Sequence, residues 1–286
     1  MNCLKGLHHW TFHKFSYIFQ AFYFFYLISG FLIIRFQSYF ILEQYCRTSY
    51  RSFLCVLLFS SGILSFFTCS LSDPGKISLI SLDKHMKFYS YDEIIFHANR
   101  KCETCHILKP ARSKHCKYCS SCIPRYDHHC FLLNNCIGGY NSIYYFVFIY
   151  INIAITFYAS YITSLCLYSI IKYENLLEAT FIDKETKEVL PNTYLTIANY
   201  LFSKYSPTFS LFVISLFSFF FLILLFSHEM YFNFYLNITT NEKKKYSQLK
   251  NSFSLNKQFY NKGFIKNVKD VLFYKKNVNN FLKKIS

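Results

Sequence analysis

The chain has 286 residues, 53% of them apolar and 22% aromatic, fractions above those of an ordinary soluble domain. Its formal net charge of +16 would suit nucleic acid or an anionic membrane surface, or it could reflect positive residues sorted to one side of a bilayer. The apolar residues fall into long runs, so the charge is read as topology, and no nucleic-acid partner is expected.

Crossing a hydrocarbon core of about 30 Å takes about 20 apolar residues. After a short N-terminal segment (1–14), the first such run is Phe15 to Ile34, uncharged until Arg35. A loop carrying Arg35, Arg47 and Arg51 leads to the second, Phe53 to Leu71. Asp73-Pro74-Gly75 then opens a mixed polar segment, 76–142. The third run covers 143–171 and the fourth 209–231, with a loop at 172–208 between them and a lysine-rich tail at 232–286. Four spans put both termini and the polar segment on one side, which carries 24 Lys and Arg against 7 on the other. The excess of positive charge predicts that this side is cytoplasmic and the 172–208 loop lumenal or extracellular. No cleavable signal peptide is expected, because the first apolar run is long and lacks a small-residue cleavage site.

Within the polar segment, the thirty-five residues from Cys102 to Cys136 hold seven of the twelve cysteines. Tight C-x-x-C spacing beside histidines favours metal in a reducing compartment over disulfides. Cys102 with Cys105, Cys116 with Cys119, and Cys119 with Cys122 can each chelate an ion. Adding Cys136, His115 and one of His128 or His129 gives eight donors, enough for two closed tetrahedral zinc sites. Cys130 is then left over beside a spare histidine. A thiol is only a few per cent ionised at neutral pH, but an adjacent imidazole can take its proton and a carboxylate can orient that imidazole. Asp127, His128 and Cys130 supply all three groups. The expected fold is an α-helical polytopic membrane protein, four transmembrane helices with a cytoplasmic two-zinc cysteine-rich domain between helices 2 and 3.

The pattern C-x2-C-x9-HC-x2-C-x2-C-x4-DHHC-x5-C resembles the cysteine-rich domain of the DHHC protein S-acyltransferases, or palmitoyltransferases. Other segments are similar to that family too: Asp73-Pro74-Gly75 after the second span, Thr239-Thr240-Asn241-Glu242 (TTxE) after the fourth, and Tyr260-Asn261-Lys262-Gly263 with Asn267, Val271 and Phe273 in the tail. The resemblance implies one zinc on Cys102, Cys105, His115 and Cys122, and a second on Cys116, Cys119, His129 and Cys136. It also implies Cys130 as the acyl-carrying nucleophile, His128 as base, Asp127 as orienting carboxylate with Thr240 behind it, and Asn267 as an anchor for backbone near the helix ends. The implied partners are acyl-CoA, cysteine-bearing protein substrates and the bilayer, in the endomembranes (Golgi or ER) or the plasma membrane. Lys109, Arg112 and Lys114 are positioned in sequence to meet CoA phosphates. Where the family usually has Pro-Trp after the nucleophile, this chain has Phe131-Leu132. Its rivals are a non-enzymatic zinc scaffold and, less well supported, a transporter, whose ion path would need more charge within the spans.

Overall fold

The computed structural model describes residues 2–45, 51–183, 186–249 and 259–282; Cys46 and Arg47 lie outside the described residues. Four helices are long and apolar enough to cross a membrane: Ser16–Gln44, Phe53–Leu71, Ser142–Tyr173 and Ser206–Tyr235. The shortest has 19 residues and rises about 28 Å, close to the thickness of the hydrocarbon core. The first crosses as α1 (Asn2–Leu32), a π-helical turn (Ile33–Ser38) and α2 (Tyr39–Tyr45). It therefore continues past Arg35, where the apolar run stops. One cation on a long stem does not interrupt backbone hydrogen bonding, and Arg35 lies over the neighbouring Phe36 ring at 5.7 Å. The second span is α3 (Arg51–Leu71). The third is α5 (Ser142–Tyr173), and the fourth is α7 (Ser206–Met230) with a π turn at Tyr231–Tyr235.

The described chain forms two compact units. One unit (Tyr23–Leu64, Tyr150–Leu224) packs Ile34, Leu42, Cys55, Ile162, Cys166 and Ile170 into its core. Its connecting segment, expected only as a loop, folds into a hairpin of β5 (Phe181–Ile182) with β6 (Val189–Leu190) and a helix, α6 (Tyr194–Lys204). Glu174 ties this segment together, accepting from Tyr200, Tyr205 and Lys204. All four spans contribute to an apolar cavity of about 40 Å³, among Tyr26, Leu27, Cys55, Leu58, Ile155 and Leu211.

The other unit (Met1–Phe22, Ser65–Ile149, Leu225–Ser286) contains the cysteine-rich segment and the tail. It enters through the Asp73 turn, whose Oδ1 accepts the N–H groups of Gly75 and Lys76 at 2.9 and 3.1 Å. Gly75 has φ +94°, and a Cβ there would stand 2.9 Å from the Tyr140 ring, so glycine is required twice over. Helix α4 (Leu79–Phe88) follows, started by a Ser78/Ser81 capping box. Two short hairpins come next: β1 (Lys114–Cys116) with β2 (Ser121–Ile123), and β3 (His128–Cys130) with β4 (Asn135–Ile137). The tail adds α8 (Thr240–Gln248), α9 (Phe264–Leu272) and α10 (Tyr274–Leu282).

What clamps the tail to the cysteine-rich segment is polar. Arg112 is fully buried and forms a two-pronged bond to Glu242, Nε to Oε1 and Nη2 to Oε2, each at 2.8 Å. Its Nη1 and Nη2 also reach the side chain and carbonyl of Asn237, and its cation faces the Tyr260 and Tyr89 rings. Asn237 in turn donates to the Tyr260 carbonyl and to Asp270. Asn267 donates to the Phe234 and Tyr235 carbonyls at the π turn, at 3.0 and 3.2 Å, as its expected anchoring role requires. Glu242→Ala would strand a buried guanidinium. It is expected to cost about 3–5 kcal/mol, read as a lowered melting temperature of the purified protein, with the isosteric Gln variant less affected.

Candidate active site and metal centres

Side chains alternate across a strand, and this decides which histidine joins the cysteine donors. In β3, His129 points one way while His128 and Cys130 point the other. Register pairs His129 with Cys136 and His115 with Cys122, placing each imidazole beside a thiol of the neighbouring strand. Two donor sets result, Cys102, Cys105, His115 and Cys122, and Cys116, Cys119, His129 and Cys136, each with all its ligand atoms within 4.8 Å of one another.

The sets fit zinc. A Zn–S bond of about 2.3 Å implies donor–donor edges of about 3.8 Å in a tetrahedron. In the second set, His129 Nδ1 lies 3.7, 3.5 and 3.6 Å from the sulfurs of Cys116, Cys119 and Cys136. In the first set, His115 Nδ1 lies 3.2 and 3.9 Å from Cys105 and Cys122. Without a cation the thiols compete for protons. Cys119 and Cys136 donate to Cys116 and hold its pKa far below the thiol range, while Cys116 and Cys119 push Cys136 far above it. A dication removes that conflict by accepting all the sulfurs as thiolates.

On the opposite face of β3 from His129, His128 Nδ1 meets Asp127 Oδ2 at 2.8 Å, and Cys130 shares that face with His128. Burial alone would lower the His128 pKa, but the bonds to Asp127 and Cys130 outweigh it and raise the pKa to about 10. Asp127 is buried, which would raise its pKa, yet His128, the Thr240 N–H and Arg125 hold it below the usual carboxylate value. Thr240 donates its backbone N–H to Asp127 Oδ1 at 2.5 Å and its hydroxyl to Oδ2 at 3.4 Å. The TTxE residues explain this aim. Thr239 is the N-cap of α8, its hydroxyl accepting from Glu242 N–H while the Glu242 carboxylate accepts from Thr239 N–H. That box frees the next N–H, Thr240, to point its share of the helix dipole at the Asp127 carboxylate.

The three basic residues expected at CoA phosphates divide. Arg112 is corrected: it is wholly buried, and Glu242 and Asn237 occupy its donors, so it is structural. Lys109 and Lys114 line a small polar cavity with Arg100 and Lys245. Asn135, within β4, donates to the carbonyls of Cys69 and Ser72, linking the hairpin to the end of α3. His228 and Glu229, near the end of the fourth span, also make polar contacts. Among the described residues, Glu229 accepts from Asn233 one turn on, and Lys243 donates to His228.

Arg125, Asn233, Asn237 and Tyr145 were not foreseen. Arg125 is buried and its Nη2 lies 3.2 Å from the side-chain oxygens of both Asn233 and Asn237. Glu229, Asn233 and Asn237 recur every four residues in the sequence; the first two lie one turn apart at the end of the fourth span, and Asn237 follows just beyond the helix end with φ +49°.

Comparison with known proteins agrees with this geometry. The sequence model of the DHHC palmitoyltransferase family matches residues 95–247. The chain is 31% identical to Palmitoyltransferase ZDHHC4 of Rattus norvegicus, over 49% of this chain and 42% of that protein. It is 49% identical to Palmitoyltransferase SWF1 of Debaryomyces hansenii, over 41% of this chain and 30% of that one. With the SWF1 of Candida albicans it shares 52% identity, over 38% and 30% respectively. The matched part thus spans less than half the length of each of these curated relatives.

Proposed function

The chain belongs to the DHHC palmitoyltransferase family, and on that premise we propose that it is a protein S-acyltransferase that moves a long-chain acyl group from acyl-CoA to protein cysteines. The observation that carries this reading is that His128, bonded to the Asp127 carboxylate just before β3, shares one face of β3 with Cys130, while His129 on the other face joins a set of cysteines fit for zinc. Zinc held by Cys102, Cys105, His115 and Cys122, and by Cys116, Cys119, His129 and Cys136, would supply folding energy and rigidity; four protein donors close each tetrahedron.

The chemistry then belongs to the side chains. His128 takes the Cys130 proton, and the thiolate attacks the thioester carbon. The C–S bond to CoA breaks, and the CoA thiolate leaves with the proton from His128. In the second half a substrate thiol gives its proton to His128 and attacks the Cys130 thioester, restoring the free cysteine. Asp127 keeps the imidazole in the tautomer and orientation both halves need. The acyl chain draws most of its affinity from burial, about 0.8 kcal/mol per methylene. Lys109 and Lys114 remain candidates for CoA phosphates. The bias of positive charge supports a relay on the cytoplasmic face of an endomembrane or the plasma membrane, where CoA esters and juxtamembrane thiols meet.

The test is transfer. Purified protein given palmitoyl-CoA and a membrane-tethered cysteine peptide should release CoA in step with peptide acylation. Asp127→Asn should slow the reaction by on the order of 10²-fold or more. CoA release with no acylated thiol on the enzyme or peptide would make the protein a thioesterase instead.

A further inference from the structure

Tyr145 sits in the first turn of α5, 8% exposed, with its ring edge-on to the His128 imidazole, 5.2 Å between centroids at 70°. Its hydroxyl lies within electrostatic reach of Cys130, Glu229 and Asp127. Buried phenols normally donate to something. Other buried tyrosines of this unit do: Tyr89 to Asp270 at 2.8 Å, Tyr246 to Asp92 at 3.0 Å and Tyr260 to the Ser90 carbonyl at 3.0 Å. Among the described residues, no acceptor takes the Tyr145 hydroxyl. The hydroxyl of this largely buried tyrosine, beside the proposed nucleophile, is left uncommitted.

The reaction needs such a donor. When a thiolate adds to a thioester, the carbonyl π pair moves onto oxygen, and that oxyanion forms within about 3 Å of the attacking sulfur. Neighbouring polar groups are engaged elsewhere: His128 Nδ1 is paired with Asp127, the Thr240 N–H is spent on Asp127, and Glu229 accepts from Asn233.

We propose that Tyr145 is a further catalytic residue, whose hydroxyl donates a hydrogen bond to the oxyanion formed when Cys130 attacks the acyl thioester. The inference rests on the acyl-transfer reading above. No proton leaves the phenol. As the oxyanion pair returns to reform the carbonyl, the C–S bond to CoA breaks and CoA departs with the His128 proton. The same hydrogen bond serves the second addition, by the substrate thiol. Because its ring packs on His128, the hydroxyl is held in place independently of the acyl chain.

Tyr145→Phe removes one oxygen and keeps the ring contact. The experiment measures single-turnover acylation of Cys130 by palmitoyl-CoA at a range of concentrations, together with the rate at which iodoacetamide alkylates Cys130. Alkylation uses the same thiolate but passes through no oxyanion. The expected result is a maximal acylation rate lowered by on the order of 10²-fold, a nearly unchanged half-saturating concentration, unchanged alkylation and wild-type zinc content. Acylation at the wild-type rate would overturn the proposal. So would acylation and alkylation falling together, since the hydroxyl would then be tuning the thiolate or positioning His128. A wild-type protein that is alkylated at Cys130 but never acylated would overturn the acyl-transfer reading itself, and the inference with it.

Discussion

Stripping metal from the protein, or replacing His129 by alanine, is expected to unfold the segment from Cys102 to Cys136 rather than simply slow it. The hairpin strands there are three residues each, and the fully buried apolar residues among them are few, chiefly Ile123, Leu133 and Ile137. Such a small core does not offset the chain entropy of thirty-five ordered residues. Structural zinc contributes an apparent 10–16 kcal/mol or so per site in small modules, enough to reverse the balance. The proposed relay would share the fate of the metal, because His128 and Cys130 flank His129 within β3 and Asp127 immediately precedes that strand. Hydrogen exchange across 114–137, followed with zinc content, checks this: protection and acylation should disappear together on chelation. A chelated protein that keeps both would show that hydrogen bonds and packing alone hold the site.

Much of this arrangement could be read from residues alone, and the exceptions have physical causes. Runs of apolar residues predicted four spans, because a bilayer demands about 20 such residues whatever the packing. Donor counting gave eight metal ligands and one spare cysteine, but counting cannot choose between His128 and His129. Strand alternation chooses, and strand register is a property of the folded hairpin. Arg112 was misread because a basic residue among lysines looks like surface. Its partners, Asn237 and Glu242, lie 125 and 130 positions away. The ends of the spans shifted for a related reason. A helix ends where its hydrogen bonds end, and Arg35, Glu229 and Asn233 do not break them. Tyr145 was invisible as chemistry because a tyrosine in an apolar run is ordinarily packing, and only its contact with His128 and its uncommitted hydroxyl set it apart.

Cys130→Ser is expected to eliminate the acyl-enzyme altogether. Cys130 is the cysteine of the segment left outside both ligand sets, and it shares a face of β3 with His128. A serine hydroxyl in its place is nearly isosteric but far harder to ionise, so the proton transfer to His128 that the thiol allows becomes far less favourable. Zinc binding should be unaffected, since residue 130 faces away from the His129 donor set. The decisive measurement uses the purified, zinc-loaded chain in detergent with an alkyne-tagged palmitoyl-CoA, comparing wild type and Cys130→Ser before and after neutral hydroxylamine, which cleaves thioesters and spares amides. The account predicts a hydroxylamine-labile label on wild type and none on the variant, at equal zinc content. No label on the zinc-loaded wild type, or an equally labile label on the serine variant, would contradict it and favour a scaffold built on the same zinc module.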